Sequence, residues 1–295
     1  MRIFLFVSAL AALAALCSSF FGNLHPLGDS LAVFRGPIAV FGGIAVLVLT
    51  LQRRRMMAIT AAGLVLWAGY TVLGPRLMPA GASDAPYSMY QKNMLFKMPS
   101  TDQLHQDITA QAPDFISLQE VSKRNFPLLA KLAQTHPSQN FCDFAAVGGV
   151  AVASKWPMIA GSAYCGETGG MAAMQVKTPD GPVWVVSLHL HWPYPMGQAA
   201  QVKRLMPDLS TLSGPVVLGG DFNMVPWSNT MRRITSVTNT QRIGTPKLSF
   251  PLFGDLYRIP IDHILVTANS KLSDTSLRPQ LGSDHSGVLG RFSIN

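Results

Sequence analysis

The segment VVLGGDFNMVPWS, residues 216–228, drives an apolar run into Asp221 and Asn223, two positions apart. Gly, Asp and Asn make ordinary turns, but a carboxylate and an amide at a buried strand end can also align a water and hold an anion. Partners elsewhere decide between these readings. FISLQEV ends near Glu120, VVSLHLHWP carries His189 and His191, IDHIL brings Asp262, and GSDHSGV brings Asp284 and His285. Alternation along a strand sends His189 and His191 to one face, and does the same for Asp221 and Asn223 if their strand persists. Carboxylates with an amide, and no Cys and His set at structural-zinc spacing, suit a hard oxygen-seeking cation, Mg²⁺ or Mn²⁺. The neighbouring histidines suit phosphoryl chemistry.

These residues need strands that end at one edge. Strand-like runs occur near residues 89–96, 114–121, 147–154, 171–177, 183–191, 215–221, 261–267 and 287–293. Helix-like stretches occur near 100–111, 123–135 and 197–212, the first with Ser100 as its expected N-cap and Gln103 three positions on. Strands outnumber helices, which predicts an α+β fold of two packed sheets covered by helices. One domain over residues 88–295 accommodates all of them, preceded by a linker at 75–87, PRLMPAGASDAPY.

The first 74 residues are of another kind. Apolar runs at 3–21, 36–51 and 56–74 predict three transmembrane helices, the first and third near the ~20 residues that span a bilayer and the middle one shorter. The second reaches back to Leu31, giving 31–51, if Arg35 snorkels to an interface. Arg2 followed by an apolar core fits a cleaved signal peptide equally well. Arg53, Arg54 and Arg55 in the short loop after the second run favour a cytoplasmic loop, so residues 75–295 are expected outside the cytoplasm. This predicts a multi-pass protein of a bacterial inner membrane with a periplasmic domain. The runs hold almost no polar residues to line a path, which argues against a transporter.

The net charge is +8, half of it in the first 74 residues, where five arginines face Asp29 alone. The remainder is mildly basic, suited to anionic substrates or lipid headgroups but not the dense stripe of a dedicated nucleic-acid binder. Cys142 and Cys165 flank an expected hairpin, and an oxidising compartment permits their pairing.

The series KNML (Asn93), SLQEV (Glu120), GGVAVASKWP, SLHLHWP (His189), GGDFN (Asp221, Asn223), IDHIL (Asp262) and GSDH (Asp284, His285) resembles the endonuclease/exonuclease/phosphatase superfamily of metal-dependent phosphoesterases. The resemblance runs in order across nearly all of 88–295. It implies a four-layer α/β sandwich of two mixed β-sheets flanked by helices, with Mg²⁺ or Mn²⁺ held by Asn93, Glu120 and Asp284. It further implies that His285 contacts the scissile phosphate, Asp262 orients His285, Asp221 aligns or deprotonates the attacking water, and Asn223 holds the phosphate. His189 matches a family histidine, although His191 stands two residues later. The deoxyribonuclease branch pairs that histidine with a glutamate, and SKWPM offers no acid there.

Trp192 and Tyr194 follow His189, and Pro226 and Trp227 follow Asn223, placing aromatics where bases could stack or lipid headgroups meet the protein. His191, Trp192 and Trp227 are therefore expected to contact substrate. The expected function is a membrane-anchored, divalent-metal-dependent phosphoesterase acting on phosphodiesters or phosphate esters of lipid-linked substrates, its tether raising the local concentration of membrane lipids. The alternatives are an extracytoplasmic nuclease and a non-catalytic membrane-anchored binding module. No protein partner can be read from the sequence.

Overall fold

The computed structural model describes residues 1–77, 85–268 and 272–294. The amino-terminal region folds into α1 (Arg2–Ser18), α2 (Leu27–Val33), α3 (Arg35–Leu51) and α4 (Arg55–Leu73). Among the described residues, Arg55–Arg76 is the one helix long and apolar enough by itself to cross a membrane. The α2–α3 pair passes only as a span bent by 84°, and α1 is a shorter apolar helix.

The sequence predicted one helix over 31–51, and the structure breaks it at Phe34. Arg35 does not snorkel outward; it is 3% exposed. Its guanidinium donates to the Ser19 carbonyl, the Ser19 hydroxyl and the Thr71 hydroxyl, and lies 4.0 Å over the Phe20 ring. A buried cation with that many acceptors is satisfied inside the bundle. Most of the expected linker, 78–84, lies outside the described residues.

The rest of the chain contains β1 (Tyr87–Asn93), α5 (Asp102–Gln111), β2 (Phe115–Val121), α6 (Pro127–Leu132), β3 (Ser138–Ala145), β4 (Gly148–Ser154) and β5 (Tyr164–Cys165). It continues through β6 (Met171–Thr178), β7 (Gly181–His189), α7 (Gln198–Ser210), β8 (Val216–Asp221) and α8 (Asn229–Val237). The last strands are β9 (Thr240–Arg242), β10 (Phe250–Leu252), β11 (Tyr257–Ile259), β12 (Asp262–Thr267), β13 (Leu272–Arg278) and β14 (Gly287–Phe292). One mixed sheet has the order β13-β14-β1-β2-β4-β3, the other β5-β6-β7-β8-β12-β9, and β10 and β11 form a separate hairpin.

Apolar side chains fill three seams. Leu104, Ile108, Leu128 and Leu132 of α5 and α6 pack on Ile116 and Leu118 of the first sheet. Phe115, Val152, Met174, Val185 and Val217 fill the space between the sheets. Val202, Leu205 and Ile234 of α7 and α8 pack on Val186 and Leu218 of the second. The result is helices, sheet, sheet, helices. Gly219 allows a close approach, because a Cβ there would lie 2.8 Å from both Met89 Sδ and Ser117 Cβ on the opposite sheet. Cys142 of β3 and Cys165 of β5 form a disulfide that ties the two sheets at one edge.

Six strands, β3, β5, β9, β10, β11 and β13, and the helix α8 went unread in the sequence, four of the strands being only two or three residues long. β3 and β13 are edge strands, and edges carry polar side chains that blur the alternation. α8 is short, and Ser228 caps it by accepting the Met231 N–H. The helix expected from Ser100 starts instead at Asp102 after Thr101, which makes no side-chain cap. Ser100 Oγ is engaged locally with Asp102.

Candidate active site

Topology explains why the site assembles. β1 and β2 run parallel, as do β7 and β8, and each pair is joined by a crossover containing a helix. The carboxyl ends of all four strands carry Asn93, Glu120, His189 and Asp221, and such ends border ligand sites in open sheets. β12 runs antiparallel to β8 and begins with Asp262 directly opposite Asp221. β14 runs antiparallel to β1 and begins just after Asp284 and His285. Polar residues at strand ends thus come from both sheets to one rim.

Two of them need unusual backbone. Glu120 has φ 56° at an irregularity in the β2–β4 pairing, and Asn223 has φ 46° just past the end of β8. A non-glycine residue in this region costs of order 1–3 kcal/mol and is common at functional sites. His191 and Asn223 do not follow simple alternation: β7 stops at His189 and β8 at Asp221, so both are placed by loops. α7 holds those loops. Gln201 accepts the His191 N–H at 2.7 Å and donates to the His189 carbonyl at 3.0 Å, while Gln198 donates to the carbonyls of His191 and Phe222.

One pocket of about 360 Å³ is lined by Glu120, Phe144, His189, His191, Trp192, Asp221, Asn223, Phe250, Asp284 and His285. Asp221 is its hub. Asn93 Nδ2 donates to Asp221 Oδ2 at 2.9 Å, and His189 Nε2 and His285 Nε2 each face the same oxygen at 3.7 Å, beyond hydrogen-bond length. His285 Nδ1 lies 2.8 Å from Asp262 Oδ2, and Gln91 donates to Asp262 Oδ1 at 2.8 Å. Asn223 donates its backbone N–H to Asp221 Oδ1 and its amide to the Leu190 carbonyl.

The electrostatics separate these groups. Burial pushes Asp221 up to about 7, against the pull of the His285 imidazolium. Burial works on Asp262 in the same sense, but His285 and its hydrogen bonds, with those of Gln91 and Ser249, hold it below the usual carboxylate range. Burial would lower His285, yet Asp262 and Asp221 overcome it and raise it to about 9. His189 is pushed down to about 3 by burial and by the positive charge of His285. Its Nδ1 is buried without a partner among the described residues, consistent with the lack of an acid in SKWPM.

Glu120 and Asp284 bring further oxygen ligands to the same pocket. Glu120 accepts the Phe96 N–H at 2.8 Å and the Asn93 amide at 3.2 Å, and Asp284 joins it in the pocket lining. Two carboxylates lining one pocket, with the Asn93 amide beside Glu120, are a donor set that fits a hard divalent cation. Asp221, Asp262 and His285 also bring one potential ligand atom each within 4.8 Å of one another. There, however, Asp262 and His285 already satisfy each other through a hydrogen bond.

Trp192 lines the pocket with its ring 5.5 Å from Phe250. Trp227 does not; its indole donates to the Ala32 carbonyl and faces the amino-terminal region, because the loop after Asn223 turns away from the rim. Sequence reading missed Phe144, 5.1 Å from the His191 ring, and Phe250, 4.6 Å from the His285 ring. It also missed Lys92, whose ammonium donates to the carbonyls of Gln280 and His285 at 2.7 and 2.5 Å and so holds the loop presenting Asp284 and His285. A lysine within an otherwise buried strand was the available signal. Beneath the pocket Gln91, Ser117, Gln119 and Ser187 form a buried chain of hydrogen bonds between the sheets. Gln91 stands two residues before Asn93 in β1, Ser187 two before His189 in β7, and Ser117 two before Gln119 in β2, the spacing that puts each pair on one face.

The same architecture is found in solved structures. A protein described as an endonuclease/exonuclease/phosphatase from Beutenbergia cavernae DSM 12333 is similar at 18% identity and TM-score 0.56, over 71% of this chain and 72% of that one. Truncated Caenorhabditis elegans TDP2 is similar at 16% identity and TM-score 0.55, over 70% and 97%. Sphingomyelinase C from Streptomyces griseocarneus is similar at 17% identity and TM-score 0.50, over 72% and 99%. No curated protein matches the chain in sequence. The model of the endonuclease/exonuclease/phosphatase family matches residues 91–285, from the strand carrying Gln91 and Asn93 through His285. That span takes in every residue placed around the pocket, and the chain belongs to this family of enzymes that hydrolyse phosphate esters.

Proposed function

We propose that the chain is a membrane-anchored, divalent-metal-dependent phosphoesterase that attacks phosphodiester or phosphate-ester bonds of lipid-linked substrates. The observation that carries the phosphoesterase reading is the single pocket lined together by Glu120, Asp284, His189, Asp221, Asn223 and His285. Asp221 Oδ2, buried and facing both histidines, accepts the proton of an attacking water. His285, kept charged by Asp262, directs Nε2–H at the phosphate oxygens and at the departing oxygen. His189, uncharged, adds a hydrogen bond without adding charge, and Asn223 fixes the phosphate beside Asp221. A divalent cation held by Glu120 and Asp284 with Asn93 would supply Lewis acidity and neutralise charge on the non-bridging oxygens.

Three features support the placement. Arg55–Arg76 has the length and composition of a span, and Arg53 and Arg54 precede it, favouring a cytoplasmic loop and an extracytoplasmic catalytic domain. The Cys142–Cys165 disulfide suits an oxidising compartment such as the periplasm. The pocket rim carries the exposed side chains of Trp192, Tyr194 and Met196, and the Tyr194 ring packs 5.3 Å from His25 of the amino-terminal region. An apolar rim continuous with the membrane region favours a lipid headgroup phosphate.

The test uses the full chain in detergent with Mg²⁺ or Mn²⁺. Hydrolysis of bis-p-nitrophenyl phosphate, abolished by chelator and by Asp221→Ala or His285→Ala, is expected. Release of phosphate or headgroup from phospholipid or polyprenyl phosphate vesicles, with plasmid DNA left intact, is expected next. Cleavage of DNA with inert vesicles would replace the lipid reading by the nuclease one.

A further inference from the structure

The amino-terminal region is joined to the catalytic domain by more than a linker. Asp29 of α2, 5% exposed, accepts the N–H groups of Asn229 and Thr230 at 2.8 and 2.9 Å and the Thr230 hydroxyl at 2.8 Å. The first N–H groups of a helix lack intrahelical partners, and a carboxylate there also complements the helix dipole. Asp29 therefore caps α8 in trans, beside the local cap Ser228. Gly22 makes room for it: a Cβ on Gly22 would lie 2.1 Å from Asp29 Oδ1.

This capped helix begins where the loop carrying Asn223 ends. Trp227 of that loop donates to the Ala32 carbonyl at 2.8 Å, and Ala32 and Val33 share one core with Phe222, Met224 and Val225. Two more pocket-lining segments rest on the same stretch. Ser30 Oγ donates to the Tyr194 carbonyl at 2.7 Å, two residues after Trp192. Tyr257 OH donates to the Val33 carbonyl at 3.2 Å and its ring stacks on Phe34. Tyr257 pairs with Leu252 in the hairpin whose Phe250 covers His285.

We infer that residues 22–34 are a working part of the active site, and that Asp29 is a positioning residue that sets the Asn223 loop on the phosphate. A displacement of about 1 Å far from the chemistry can cost roughly 10²-fold in rate, so such a clamp governs turnover more than binding. The inference rests on the phosphoesterase reading, and its test separates the two.

Full-length wild type, Asp29→Ala and Asp29→Asn are compared in detergent for kcat and KM on bis-p-nitrophenyl phosphate and for amide hydrogen exchange. Asp29→Ala is expected to lower kcat about tenfold or more with KM changed less than about twofold. Exchange should rise across 223–230 while β1 and β2 stay protected. Asp29→Asn, which keeps one acceptor oxygen, should recover part of kcat. An unchanged kcat, or protection at 223–230 that does not fall, overturns the inference. A wild type silent on every phosphate ester sinks the phosphoesterase reading, and exchange at 223–230 then still decides whether Asp29 holds the loop. If Asp29→Ala does not fold, Thr230→Val removes only the hydroxyl contact; a kcat loss of about two- to threefold supports the clamp, and no loss overturns it.

Discussion

Two buried histidines face one carboxylate oxygen at the same distance, His189 from the second sheet and His285 from the loop that leads into the first, yet they carry opposite charge states. Both are stripped of water to a similar degree. What differs is the second nitrogen: His285 Nδ1 has Asp262 at 2.8 Å, whereas His189 Nδ1 has no partner among the described residues. A single acid, supplied across the sheet interface, therefore divides the labour of two like side chains, in the way that environment separates paired acids and bases elsewhere. It also ties the sheets together, since Asp262 belongs to β12 of one and His285 precedes β14 of the other.

The strongest way to break this asymmetry is to take the acid away. Asp262→Asn leaves shape and one hydrogen bond but removes the charge that holds His285 up. We expect kcat to fall about 10³- to 10⁴-fold, as when the orienting acid of a catalytic histidine is neutralised. An NMR titration should show the His285 value dropping from about 9 to below its ordinary value of about 6.5. A variant whose His285 still titrates near 9 would locate the cause elsewhere.

Removing the oxygen side of the pocket is expected to act next most strongly. Glu120→Gln keeps the acceptor for the Phe96 N–H but loses the charge. The Mg²⁺ concentration for half-maximal activity should rise at least about tenfold, with His285 still titrating far above His189. If activity in Glu120→Gln follows the wild-type Mg²⁺ curve, the cation is held by other residues.

A pH series sharpens the contrast without mutation. The folded value of His285, about 9, lies above the ordinary one. Its contribution to stability is therefore fully present below about 6.5 and is lost as pH rises through about 9. Urea midpoints should fall over that window in wild type and stay flatter in His285→Ala. The activity profile should rise near 7 with Asp221 and decline near 9 with His285. His189, its value near 3, should leave no mark on the activity profile above pH 5.

How much of this was readable beforehand follows from where each residue sits. Glu120, His189, Asp221, Asp262 and His285 were legible because each ends or adjoins an apolar strand, and parallel strands joined by helical crossovers bring such ends to one edge. Gln91, Ser117 and Gln119 were not, since single polar residues inside strands carry no signal until the opposite sheet shows what they bond to. Phe144 lies on an edge strand and Phe250 on a three-residue strand, both too short or too polar for periodicity to mark. Trp227 was misplaced because a loop's direction after a strand is set by what it packs on, here Ala32, about 195 positions away. The break at Phe34 was hidden for the same reason: apolar residues continue through it, and only Arg35 and its partners fix the bend.

The smallest effect expected is at the rim, where the two histidines differ in their apolar cover. Phe250 lies over His285 and is itself held edge-on by Trp192, which is 38% exposed. Trp192→Ala removes that outer support but touches neither Asp262 nor Asp221. KM for a vesicle-borne phosphate ester should rise about three- to tenfold, the equivalent of roughly 1 kcal/mol for one aromatic contact, with kcat reduced less than about twofold. On bis-p-nitrophenyl phosphate in solution the KM change should be smaller, because that substrate presents no bilayer to the rim. Equal KM changes on the two substrates would mean that Trp192 serves the pocket by propping Phe250 alone, and that the rim does not read the membrane.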